Sequence, residues 1–140
     1  MALRRRRGVR ERIAERARYL CEYCLCPESH SLSTFAVEHI HPLGDGGPDE
    51  EDNLANSCLG CNGFKGLATT GIDPLTGEEV RLYNPRLDAW AEHFAWSEDT
   101  LTVIGQTPIG RATIERLRLN RAGVVNLRSL LKLRGIHPPE

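Results

Sequence analysis

Apolar positions along this chain recur at two periods, and the change between them sketches the elements. Val9, Ile13, Ala17 and Leu20 return at steps of three and four residues, the spacing of one helical face, which predicts a helix from about Gly8. Residues 33–40, with Phe35 and Val37 inside them, read as an extended strand. Gly44 to Pro48 forms a loop in which Gly46 and Gly47 supply backbone freedom. Asp52-Asn53-Leu54 then opens a short helix or turn, with Asp52 or Asn53 suited to capping it. A further helix starting near Asn62 carries Lys65.

Past Gly66 the pattern changes. Asp73-Pro74 and Thr76-Gly77 mark a turn, and residues 79–83 alternate as a short strand. Residues 94–96 and 101–106 read as a hairpin around Glu98-Asp99. Thr107 followed by Pro108 predicts a helix start, with proline at the first helical position. A last helix over about residues 124–133 places Val124, Leu127 and Leu131 on one face. The expected organisation is a basic N-terminal arm and helix (1–19), a central core (20–67) and an extension packed on that core (68–140).

Cysteine usage changes this picture most. The chain has 140 residues, 40 % apolar but only 6 % aromatic. Its core is therefore modest and would gain from a structural metal. No apolar run approaches a membrane span, and the N-terminus lacks the apolar core of a signal peptide, so a cytoplasmic protein is expected. A reducing interior discourages disulfides. Four of the five cysteines nevertheless pair as Cys21-x2-Cys24 and Cys58-x2-Cys61, the spacing of a tetrahedral zinc site. Cys26 is left over as a buried or idle thiol.

Charge adds a second layer. Residues 1–20 hold eight arginines against two glutamates, and residues 21–80 hold one lysine against eleven acids. Residues 81–140 are mildly basic. Polyanion contacts are expected from the two ends, and carboxylate chemistry from the middle. For Arg4, Arg5, Arg6 and Arg7 two readings stay open, a solvated tail or an arm on nucleic acid. His30 and His137 carry no signal, and His93 beside Trp90 and Phe94 reads as packing.

Between the cysteine pairs lie Val37-Glu38-His39-Ile40-His41-Pro42, then Gly46-Gly47, then Asp52-Asn53-Leu54, with Asn62 and Lys65 after the second pair. In order and spacing, residues 20–66 resemble the HNH (ββα-metal) endonuclease family. Residues 71–96 also look like an extension found in one bacterial branch of it. The resemblance implies an α+β fold: a small ββα-metal core stabilised by a four-cysteine zinc site, with a C-terminal extension of short strands and two helices. It makes His39 the general base, and Glu38 and Asn62 the ligands of a catalytic magnesium or manganese ion. Asn53 becomes the residue that fixes the loop and orients the base, while Lys65 contacts phosphate and His41 sits near enough to do so.

Elementary chemistry agrees with that assignment. Hydrolysis of a phosphodiester needs a water deprotonated near neutral pH, which suits histidine, and a cation against the charge that develops on phosphate and on the departing 3′-oxygen. A carboxylate next to the histidine in sequence leaves a strand on the opposite face, so a second oxygen ligand must come from elsewhere. A helix cap is the competing role for Asn62. The expected partner is DNA, with RNA left open, and no dimer interface is legible, so monomer and homodimer both stand. The alternative function is a zinc-stabilised nucleic-acid-binding module without cleavage.

Overall fold

The computed structural model describes residues 2–140, with side chains from Gly8 onward. The side chains of Arg4, Arg5, Arg6 and Arg7 lie outside the described residues. The chain forms two compact units, residues 1–63 and 64–140.

In the first unit, α1 spans Ala2–Arg16, beginning before the expected Gly8. Arginine is a good helix former, so the basic run continues the apolar-periodic segment without a break. Ile13 and Ala17 turn inward as their spacing predicts. The helix ends where Arg18 and Tyr19 take left-handed backbone (φ 57° and 59°), and the chain reverses to bridge Leu20 to Pro27. Strand β1 (Ala36–His39) pairs antiparallel with β2 (Leu54–Ser57), setting Glu38 opposite Ala55 and His39 opposite Leu54. Helix α2 (Leu59–Lys65) follows, completing a β-β-α order. The expected turn before Leu54 is a 3-10 turn, Glu51–Asn53.

Two local expectations change. β2 was not legible as a strand because all four of its residues are buried, which erases the period-two signal. α2 starts at Leu59 rather than near Asn62, and the Asn62 N–H already bonds the Cys58 carbonyl inside it. Asn62 is therefore no helix cap. Arginines fasten α1 to the strands: Arg16 donates to the Glu51 and Leu54 carbonyls at 3.0 and 2.6 Å, and Arg10 to the Phe35 carbonyl at 2.6 Å.

The second unit holds two hairpins and three helices. β3 (Thr70–Ile72) pairs with β4 (Glu79–Arg81), and β5 (Phe94–Trp96) with β6 (Val103–Gly105), the latter as expected. Between them lies the short helix α3 (Trp90–His93); α4 (Pro108–Leu117) and α5 (Ala122–Leu133) follow. The Thr107 hydroxyl accepts from Gly110 N–H at 3.0 Å, the cap that its position before Pro108 predicts. Leu82, Tyr83, Phe94, Val103, Ala112, Leu117 and Leu131 form its core. His93 packs edge-on to Tyr83 and shares a 2.6 Å hydrogen bond with Thr107.

This small core also contains ions. Asp73 is fully buried and accepts from Arg111 twice at 2.9 Å, from Leu75 N–H and from the Thr76 hydroxyl. Arg128, also fully buried, donates to the Leu101 carbonyl and Asn120 and lies over the Trp96 ring. The Arg111 guanidinium holds the Asp73 carboxyl well below its usual range, and Arg81 holds Asp88 down at about 2. A carboxyl depressed by folding stabilises above its unfolded pKa of about 4, and that stability is lost as pH falls through the folded value. The melting temperature should therefore drop steeply on acidification through the carboxylate range. Asp73→Asn should lower Tm at neutral pH and flatten the acid limb, checked by thermal melts across pH. An unchanged limb would refute the role of the Asp73–Arg111 pair.

Candidate metal centre and adjoining histidine site

Two chain segments bring four sulfurs together. Cys21 and Cys24 lie in the turn beyond α1, where Leu25 takes left-handed backbone (φ 64°) and donates back to the Cys21 carbonyl. Cys58 follows β2, and Cys61 lies in the first turn of α2. Their four Sγ atoms all fall within 4.8 Å of one another, and Cys24 and Cys58 are 3.8 Å apart. A tetrahedron with zinc–sulfur bonds of about 2.3 Å has edges of about 3.8 Å, so the donor set fits zinc. Burial pushes the Cys21 thiol up, while hydrogen bonds from Cys21, Cys24 and Cys61 pull Cys58 far down. Cys58 is thus the favoured thiolate of the four, and a dication seated among them would favour the thiolate form of the others. Cys26 is buried but outside the cluster.

The frame around the sulfurs rests on a pair the sequence did not mark. Asn56 of β2 donates from its side chain to the Leu20 carbonyl, and its backbone bonds Glu22 in both directions, N–H to carboxylate and carbonyl to N–H. These three bonds hold the first cysteine turn against the strand that leads to the second pair. Nothing in a lone Asn-Ser dipeptide signals this.

β1 divides the two motif residues between its faces. Glu38 points inward, 5 % exposed, and its Oε1 accepts from the Tyr23 hydroxyl at 2.5 Å. Burial, then the Glu38 charge, raises the Tyr23 phenol, so it stays a donor. His39 faces outward into a cavity of about 640 Å³ that Arg10, Arg12, Leu43, Asp49 and Glu51 also line. Its Nε2 lies 2.9 Å from Asp49 Oδ1.

The loop between β1 and β2 is closed by Asn53. Its Oδ1 accepts from His41 N–H, and its Nδ2 donates to the carbonyls of His41 and Pro48, all at 2.8–2.9 Å. Gly47 completes the closure, because a Cβ there would sit 1.9 Å from the His41 carbonyl oxygen. Half-exposed His41 pairs with Asp45 at 3.2 Å. Asn62 is half-buried on α2. Lys65, expected at phosphate, is 1 % exposed, so its ammonium is not on the surface. Sequence reasoning missed Asp49, Tyr23, Glu22 and Asn56. Asp49 stood within a visible acidic run, yet ten residues separate it from His39.

If zinc holds this unit together, Cys58→Ser should lose the metal and most of its folding contribution, on the order of 10 kcal/mol in small zinc-folded domains. Metal analysis and a thermal melt check this, with Cys26→Ser expected to keep wild-type zinc content; zinc retained in Cys58→Ser would refute the cluster. Set beside known proteins, residues 21–66 match the family model described as HNH endonuclease, while no curated protein and no solved structure matches. The matched stretch, about a third of the chain, is similar to HNH endonucleases and carries all four cysteines, His39, Asn53 and Asn62.

Proposed function

We propose that this chain is a metal-dependent endonuclease that hydrolyses phosphodiester bonds of DNA. The observation that carries the reading is the position of His39: inside the matched segment, on the outer face of β1, with its ring opening on a cavity. There it takes the proton from an attacking water as the water oxygen bonds phosphorus and the bond to the 3′-oxygen breaks. The products are a 5′-phosphate and a 3′-hydroxyl.

Glu38 and Asn62 are the proposed holders of a magnesium or manganese ion, hard oxygen donors suited to such a cation. Bound there, the ion supplies positive charge against the phosphate and the departing oxygen. Glu38 is held in place by Tyr23. Asn53 acts through the loop it closes, fixing the backbone on which His41 and Asp49 stand. His41, half-exposed, is the side chain proposed to meet phosphate. The arginines before Gly8 are proposed to add backbone contacts whose contribution weakens with salt.

Supercoiled plasmid incubated with the protein and magnesium or manganese should be nicked. His39→Ala should lower the rate by about 10²- to 10⁴-fold, the usual contribution of a general base, and a chelator strong enough to remove magnesium should stop the reaction. Gel conversion of supercoiled to nicked or linear DNA reads the outcome. Plasmid bound but uncut in every condition would replace this reading with a non-catalytic nucleic-acid-binding module.

A further inference from the structure

The imidazole of His39 has two nitrogens, and the structure treats them differently. Nε2 lies 2.9 Å from Asp49 Oδ1, whereas Nδ1 has no hydrogen-bond partner among the described residues. An ionised carboxylate can only accept, so in the neutral ring Nε2 must carry the proton and Nδ1 the lone pair. A base needs that lone pair. From this geometry we infer that Asp49 is the positioning residue that fixes His39 in the Nε2–H tautomer and leaves Nδ1 as the proton-accepting atom. The inference deepens the nuclease reading and rests on it for the role of Nδ1.

The backbone is arranged so that Asp49 arrives where it does. Asn53 clamps the His41 and Pro48 carbonyls together, so the loop leaves β1 and returns beside it. The Gly47 N–H bonds the Pro42 carbonyl, and the absence of a Cβ at Gly47 lets its backbone lie against His41. Asp49 is the second residue after this closure and the one directly after clamped Pro48, and its carboxylate meets the ring of His39 from the loop side. The adjacent acids are engaged differently: Glu51 is taken by Arg12 at 2.8 Å, and Asp45 by His41. Of the acids lining the cavity, Asp49 is the one within hydrogen-bond distance of the His39 ring. Its side chain is 44 % exposed against 21 % for His39, so it is a partner replaceable without opening the core.

The test uses the full chain with its zinc and two readouts. Nitrogen-15 NMR of the histidine rings, recorded in their neutral form, should show His39 protonated at Nε2 in the wild type and a mixture of tautomers in Asp49→Ala. In plasmid nicking, Asp49→Ala should lower kcat by about 10- to 100-fold, the usual effect of losing a partner that orients a reacting ligand, with KM for DNA changed less than threefold. Asp49→Glu, which can still reach Nε2, should restore both the tautomer and most of kcat. Thermal melts of both variants should match the wild type.

An Asp49→Ala ring spectrum identical to the wild type would overturn the proposal whatever the cleavage result. So would an altered spectrum with unchanged kcat. A wild type that fails to nick but shows the Asp49-dependent tautomer would remove the nuclease reading and leave the pairing standing.

Discussion

Four cysteine sulfurs gathered within 4.8 Å, buried or nearly so, are the constraint on which the first unit depends. Thiolates this close repel one another, and a bound cation would offset that repulsion. With zinc bound, the turn after α1 is tied to the end of β2 and the first turn of α2.

On that frame β1 needs only its pairing with β2 to present two residues to two environments. Glu38 goes inward to Tyr23 and His39 outward to a cavity, because neighbouring strand residues point to opposite faces. The loop that joins the strands is stiffened by a single side chain, Asn53, which satisfies one N–H and two carbonyls. Buried backbone groups of an irregular loop require such partners. One residue therefore settles both the loop and the placement of the groups standing on it.

The second unit obtains definition from buried polar pairs as much as from apolar packing. Asp73 with Arg111 ties the β3–β4 turn to α4, and Arg128 links α5 to Leu101, two residues before β6. Such pairs add little net stability over apolar replacements, but losing one partner strands a charge.

Much of this was legible in the linear chain: the cysteine spacing, the helix through Ile13 and Ala17, the hairpin over residues 94–106, the Thr107-Pro108 helix start, and the motif that named Glu38, His39, Asn53 and Asn62. These are local signals, carried by periodicity, capping chemistry and fixed spacing. Tertiary structure decided the rest. β2 is buried on both faces and so lost its alternation, while α2 began at Leu59 and drew Asn62 inside it. Lys65, read as a phosphate contact, is buried. Asp49 meets His39 across ten residues only because the loop closes. Spacing along a chain specifies which groups can share an element, but burial and long-range pairing depend on how elements meet, and no local pattern encodes that.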